Sequence, residues 1–121
     1  MTVKPIDAAT AKKKLDEGKA LLIDVREANE HAREHIEGAL LAPLSRFQTE
    51  DFAGHHDKTA VFYCQSGGRT NMNARLLGSK KFRDAYVLTG GISAWKAAGL
   101  PTTRPSRGEQ GEGRRKLFGL F

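Results

Sequence analysis

The chain has 121 residues and a mass of 13.3 kDa, the size of one compact domain. Hydrophobic residues make up 39% and charged residues 28%, which is typical of a soluble globular fold and excludes collagen, mucin and wholesale disorder. No apolar run approaches the ~20 residues of a transmembrane helix, and the first residues have no signal-peptide pattern. We therefore expect a cytoplasmic protein, or a domain on the cytosolic face of a membrane.

The positive charge is unevenly distributed. The formal net charge is +6, from 20 Lys and Arg against 14 Asp and Glu. Residues 102–121 carry half of it, because five basic residues there stand against two acidic ones. The rest of the chain has no basic stripe interleaved with aromatic residues, so we predict that nucleic acid is not a partner.

Helical and extended patterns alternate along most of the chain. Asp7 is a predicted N-cap for a first helix, whose apolar face includes Ala8, Ala11 and Leu15. A nearly continuous apolar run at 20–25 then predicts a strand that is covered on both faces.

The later elements continue the alternation. We predict, in chain order, a helix at 27–35, a strand at 39–42, a helix at 44–52, a strand at 59–63, a helix at 70–77, a strand at 85–88 and a helix at 92–98. The 59–63 strand is the clearest, because it is rich in β-branched and aromatic residues. Alternating helices and strands with short connections indicate an α/β domain around a mainly parallel sheet.

The composition changes near the C-terminus. We predict a domain over residues 1–103 and a flexible basic tail over 104–121, since the tail is rich in glycine and polar residues. Residues 114–121 are basic and then apolar. We interpret them either as a weak anchor for anionic lipid or a protein groove, or as a frayed terminus or the cut edge of a longer protein, and we prefer the second interpretation.

Cys64 stands directly after the clearest strand, where open α/β sheets bind their ligands. The segment Gln65–Gly68 contains two glycines, which let the backbone curl and turn its N–H groups inward at a helix N-terminus. Such donors favour thiolate over thiol, and Arg69 adds a permanent positive charge. The alternative is an inert buried thiol, which needs neither the glycine pair nor the arginine.

Four segments of the chain match a set of known sequence signatures in order and spacing. They are the loop Cys64–Arg69, the strand end 22–27 (LIDVRE), the turn 35–39 (HIEGA) and the C-terminal segment 89–101 with Trp95 and Gly99. Together they resemble the rhodanese family of thiosulfate and persulfide sulfurtransferases. The resemblance covers residues 3 to about 102 and is greatest with the single rhodanese domain that precedes two transmembrane helices in some bacterial proteins.

The resemblance implies a three-layer fold with a mainly parallel five-stranded sheet flanked by helices. It also implies that the Cys64 thiolate takes the outer sulfur of thiosulfate or another persulfide donor and passes it to cyanide or a thiol. The N–H groups of the loop would surround that sulfur, so substrate binding is expected at every loop residue after the cysteine. These residues are Gln65, Ser66, Gly67, Gly68 and Arg69.

Some positions qualify the resemblance. Asp24 and Arg26 are interpreted as residues that brace the loop, and Ser66 either bonds the bound sulfur or stabilises the loop. Glu37 replaces the proline of the family turn. Glu30 stands where the two-domain thiosulfate enzymes have a substrate-binding arginine, which argues against thiosulfate and for a protein or small-molecule persulfide as the physiological donor.

We predict no metal site and no cofactor. Cys64 is the only cysteine, and His31 and His35 are spaced i, i+4 without a third ligand nearby. The expected partners are a small-molecule sulfur donor and a thiol or cyanide acceptor.

Two alternatives are kept beside the sulfurtransferase. A phosphatase or arsenate reductase of the related cell-cycle phosphatase group would use Cys-x5-Arg, whereas Cys64 and Arg69 form Cys-x4-Arg, a loop that suits one sulfur atom and crowds a phosphate. A binding module of the same fold would act without catalysis, but inactive modules typically lack the cysteine.

Overall fold

A computed structural model describes residues 2–105 of the chain. The strands are β1 (Lys4–Ile6), β2 (Ala20–Asp24), β3 (Leu40–Leu41), β4 (Thr59–Tyr63) and β5 (Asp84–Leu88). They form one sheet in the order β1-β5-β4-β2-β3, and every neighbouring pair is parallel. The predicted α/β fold with a five-stranded sheet is confirmed. Of the predicted tail at 104–121, residues 106–121 lie outside the described residues.

Helices connect the strands on both faces of the sheet. They are α1 (Ala8–Asp16), α2 (Ala28–Arg33), α3 (Gly68–Met72), α4 (Ala74–Gly78) and α5 (Gly91–Ala97), with a 3₁₀-helix at Leu44–Thr49. Asp7 caps α1 as predicted, because its carboxylate accepts a hydrogen bond from the Thr10 N–H at 2.9 Å. Within residues 2–105, no helix combines the length and apolarity that a membrane crossing requires.

The two edges of the sheet differ from the sequence prediction. Strand β1, which pairs with β5 at one edge, is not among the elements predicted from the sequence. This three-residue strand contains Pro5, which has no N–H to donate and is tolerated only where a strand has a free side. At the other edge, the strand predicted at 39–42 shortens to Leu40 and Leu41, the two residues that pair with β2.

Two predicted helices also differ. The segment predicted as a helix at 44–52 is a 3₁₀-helix that ends at Thr49. The helix predicted at 70–77 divides at Asn73, whose backbone leaves the helical region with φ −114° and ψ 22°. The Asn73 side-chain amide donates to the Arg69 carbonyl at 2.7 Å, an example of a side chain competing for the helix backbone. Because of this break, α3 is only five residues long.

Two apolar clusters pack against the two faces of the sheet. One contains Phe62 of β4, and the other contains Tyr63 of β4 with Ile92 and Trp95 of α5. Successive residues of a strand point to opposite faces, so the central strand β4 joins the two clusters. The parallel strands all end at one edge of the sheet, and the segments that follow β2, β4 and β5 meet there.

Candidate active site

Cys64 is the first residue after β4, at the carboxyl edge of the sheet. It is 1% exposed and packs within the apolar cluster that contains Phe62. Its sulfur nevertheless has polar neighbours, since the Gly67 N–H donates to Sγ at 3.1 Å and the Thr70 hydroxyl oxygen lies 3.8 Å from Sγ. The thiol is therefore buried, as in the inert alternative, but it faces hydrogen-bond donors that an inert thiol does not need.

These donors determine the acidity of the thiol. Burial by itself raises the pKa of Cys64, because it penalises the thiolate. The backbone N–H groups of Thr70, Gly67 and Arg69, together with the Thr70 hydroxyl, outweigh burial and lower the pKa below its ordinary value. Thr70 is not among the residues predicted for the site, although it directly follows the predicted loop. A hydroxyl side chain at that position was the available signal.

Gly67 gives the loop its shape. Its φ of 102° lies in the left-handed region, and it is the N-cap of α3. The turn at Gly67 returns the chain so that its own N–H reaches the sulfur three residues earlier. Gly68 has no such requirement, since a Cβ there would have no atom within 4 Å. The backbone conformation thus explains the first of the two predicted glycines and leaves the second without a steric reason.

The start of α5 fixes the loop from the other side. The Ile92 N–H donates to the Cys64 carbonyl and the Ser93 N–H donates to the Gln65 carbonyl, both at 3.0 Å. Gly91 allows this close approach: its φ is 60°, and a Cβ there would overlap the Cys64 carbonyl oxygen and lie 2.6 Å from that of Gln65. These two hydrogen bonds fix the orientation of the first two peptide groups after β4.

Asp24 and Arg26 form a buried ion pair beside the loop, 0% and 3% exposed respectively. The Arg26 Nη2 and Nε donate to the two Asp24 carboxylate oxygens at 2.8 Å and 3.0 Å. Arg26 also donates from Nη1 to the Gln65 side-chain oxygen at 3.3 Å. The Tyr63 hydroxyl donates to Asp24 and accepts from the Ile36 N–H, each at 3.1 Å. The hydrogen bond to Gln65 connects the pair with the loop, and the bracing role of the pair stays a prediction.

His31 of α2 and His35 of the turn after α2 lie beside the Asp24–Arg26 ion pair. The rings of His31 and His35 stack with their centroids 3.9 Å apart, and the His31 Nδ1 lies 2.8 Å from the Asp24 carboxylate. Burial raises the pKa of Asp24, but hydrogen bonds from Arg26 and His31 hold it below its ordinary value. Across residues 2–105, no three His, Cys, Asp or Glu side chains are grouped so that they could hold a metal ion.

Arg69, at the end of the loop, is paired with Glu30 of α2. Its two terminal nitrogens donate to the two carboxylate oxygens at 2.8 Å and 2.9 Å. The hydrogen bond from Arg69 is the main reason why the pKa of Glu30 is lowered to about 2, so Glu30 is ionised at neutral pH. The sequence analysis noted Glu30 only as the lack of an arginine and did not predict this pairing.

The remaining loop residues form the rim of the site. Gln65, Ser66 and Gly68 are exposed, and the Gln65 side-chain amide donates to the Ser93 hydroxyl at 3.1 Å. The expected substrate-binding roles of the loop side chains, including the open question at Ser66, stay predictions.

The site is therefore a single cysteine directly after the central strand of a parallel α/β sheet, and backbone amides of the loop and helix that follow lower the pKa of its thiol. The sequence matches the rhodanese-like domain family over residues 7–98, and the chain belongs to that family.

Relatives extend this assignment. The uncharacterized protein slr1261 of Synechocystis sp. is 42% identical over 84 residues, which are 69% of this chain and 47% of that protein. The thiosulfate sulfurtransferase GlpE of Coxiella burnetii is 30% identical over 77 residues, which are 64% of this chain and 72% of GlpE. The chain therefore spans about half of slr1261. The solved rhodanese-like domain of Alr3790 from Anabaena sp. has a TM-score of 0.74 and 28% identity, covering 88% of this chain and 84% of that one.

Proposed function

We propose that the chain is a sulfurtransferase, in which Cys64 accepts a sulfane sulfur and passes it to cyanide or a thiol. The observation that carries the proposal is the set of backbone N–H groups from Gly67, Arg69 and Thr70 that lower the pKa of the buried Cys64 thiol. The similarity to a thiosulfate sulfurtransferase, GlpE of Coxiella burnetii, adds support at the level of the family. The donor and acceptor are small molecules in this proposal, and a working thiolate suits the reducing cytoplasm.

The chemistry consists of two displacements at sulfur. With thiosulfate, the Cys64 thiolate attacks the outer sulfur, the S–S bond of the donor breaks, and sulfite leaves with the electron pair. The cysteine is left as an ionised persulfide. An acceptor thiolate then attacks the outer persulfide sulfur, and the Cys64 thiolate leaves.

The loop favours this chemistry because its N–H groups can stabilise the negative charge of the Cys64 persulfide. Sulfite and thiolate are good leaving groups, so neither step needs a proton donor. Among residues 2–105, the hydrogen-bond contacts of the sulfur are with the Thr70 hydroxyl and backbone amides. Amide donors that already face the sulfur stabilise the anionic persulfide without reorganising. Among these donors, the Gly67 N–H lies 3.1 Å from the sulfur.

The phosphatase alternative has less support. A phosphate dianion is bound best by the bidentate face of an arginine, whereas that face of Arg69, formed by its two terminal nitrogens, is bonded to the Glu30 carboxylate. The ionised Glu30 would also repel a phosphate at this position. Non-catalytic binding is less favoured because the donors around Cys64 are arranged for a thiolate.

The test is an intact-mass measurement after incubation with a sulfane donor. The parent protein is expected to gain one sulfur atom, and added cyanide is expected to remove it as thiocyanate. The matched control is Cys64→Ser, which keeps the size of the side chain and leaves the protein without a thiol. A parent protein that stays at its original mass with every donor, or a Cys64→Ser protein that gains the same sulfur, would refute the proposal.

A further inference from the structure

The charged side chains beside the Cys64 loop cancel in pairs. Among the described residues, Arg26 and Arg69 both bond directly to carboxylates at this edge of the sheet, Arg26 to Asp24 and Arg69 to Glu30. Neither arginine therefore presents an uncompensated charge to a molecule that approaches Cys64. The positive field at the sulfur comes mainly from backbone amides, which carry partial charges.

The Glu30 carboxylate is held in place from two directions. Its two oxygens take both terminal nitrogens of Arg69, and Oε1 also accepts the Glu27 N–H at 3.1 Å at the start of α2. The side chains of Glu30 and Arg69 are 21% and 39% exposed, so the pair lies at the rim and not in the core. Because the Glu30 carboxylate is held by hydrogen bonds from both the Glu27 N–H and Arg69, it stays paired with the Arg69 guanidinium.

We propose that Glu30 sets the charge of the sulfur donor, and that this site takes sulfane donors with no more than one negative charge, such as thiosulfonates and alkyl persulfides. The inference rests on the proposed sulfurtransferase function and names its substrate class. Glu30 acts through its pair with Arg69: it withholds the guanidinium from the donor and cancels the positive charge of that guanidinium.

The selection follows from the number of charges on the donor. At equal distance, a positive charge attracts a dianion about twice as strongly as a monoanion, so cancelling the charge of Arg69 costs a dianionic donor more. The Cys64 thiolate likewise repels a dianion about twice as strongly as a monoanion. Thiosulfate is a dianion. Methanethiosulfonate has the same outer sulfur on an oxidised sulfur but carries one charge, because a methyl group replaces one oxygen. The two donors therefore report the effect of charge with little change in chemistry.

The reaction of the monoanionic donor balances in the same way. The Cys64 thiolate attacks the outer sulfur of methanethiosulfonate, the S–S bond breaks, and methanesulfinate leaves with the electron pair. The product on the protein is the same ionised persulfide that thiosulfate gives. Any difference in kcat/KM between the two donors therefore arises in donor binding or in formation of the persulfide.

The test compares kcat/KM for thiosulfate with kcat/KM for methanethiosulfonate, with cyanide as acceptor and thiocyanate as the measured product. In Glu30→Gln the ratio of the two values is expected to rise at least about tenfold. Glutamine retains an oxygen that can accept the Glu27 N–H, so α2 keeps its start. A thermal unfolding curve checks that the variant is folded.

Two further variants identify the cause. Glu17→Gln makes the same change in net charge on an exposed residue. Glu17 follows α1 at the amino ends of the parallel strands, away from Cys64, so this variant should leave the ratio unchanged. In the double variant Glu30→Gln, Arg69→Gln the gain is expected to disappear, because the freed guanidinium is what attracts the dianion. Higher salt should raise the ratio of kcat/KM for thiosulfate to kcat/KM for methanethiosulfonate in the parent protein, since salt screens the repulsion between the Cys64 thiolate and the dianionic donor.

An unchanged ratio in Glu30→Gln, or equal gains for both donors, would overturn the inference while leaving the sulfurtransferase proposal standing. A double variant that keeps the whole gain would overturn the role given to Arg69. Failure of every donor to load the parent protein would refute the proposed function itself, and the selection by Glu30 with it.

Discussion

The close approach of α5 to the cysteine loop predicts a large cost for Gly91→Ala. Alanine at φ 60° is strained by about 1–2 kcal/mol. The added Cβ would also overlap the Cys64 carbonyl, so α5 must move away and the hydrogen bonds from Ile92 and Ser93 lengthen or break. Each is worth about 1 kcal/mol, and together these effects lower the free energy of unfolding by roughly 3–4 kcal/mol.

Gly18→Ala is the matched control. Gly18 has a φ of 75°, but a Cβ there would have no atom within 4 Å. Alanine at this position is therefore strained only in its backbone, and it should lower the free energy of unfolding by about 1–2 kcal/mol. Urea unfolding of both variants can be followed by the fluorescence of the single tryptophan, Trp95. Equal losses in the two variants would show that the contact between α5 and the loop does not hold the loop in shape.

The other predictions concern the sulfur, the buried network and the rim. Thr70→Val removes the hydroxyl that faces the Cys64 sulfur and should move the midpoint of the pH–rate profile of sulfur loading to higher pH; a midpoint that stays in place contradicts the role given to this hydroxyl. Tyr63→Phe leaves the buried Ile36 N–H without its partner and should lower the free energy of unfolding by about 1–3 kcal/mol in urea titrations, whereas no measurable loss would refute it. The pKa of Glu30 is about 2 in the folded chain against 4.5 ordinarily, so its contribution to stability is present above pH 4.5 and is lost as the pH falls towards 2. Glu30→Gln should therefore lose less stability than the parent protein over that range, and equal acid sensitivity in thermal unfolding would contradict the pairing with Arg69.

Local signals predicted much of the fold and of the loop. The Asp7 cap and the strand at 59–63 depend on neighbours in sequence, and both are present in the structure. The loop Cys64–Arg69 was identified in the same way, because its glycines, its helix start and its cysteine are contiguous. What a short segment needs for its own conformation can be inferred from that segment.

Features that need a distant partner were not predicted. Glu30 and Arg69 are 39 positions apart in sequence, and the pairing depends on how α2 packs beside the loop. The requirement for glycine at Gly91 comes from the carbonyls of Cys64 and Gln65 on another segment. The edge strand β1 is defined by β5, more than seventy residues later, and its own three residues carry a weak local signal.

The central claim is that the backbone amides after Cys64 hold a sulfane sulfur on that residue. A crystal structure of the sulfur-loaded protein tests this claim most directly. The account predicts one extra sulfur atom bonded to the Cys64 Sγ, within hydrogen-bond distance of at least two of the backbone N–H groups of Gly67, Arg69 and Thr70. An extra sulfur that points into the apolar cluster, with those amides directed elsewhere, would contradict it.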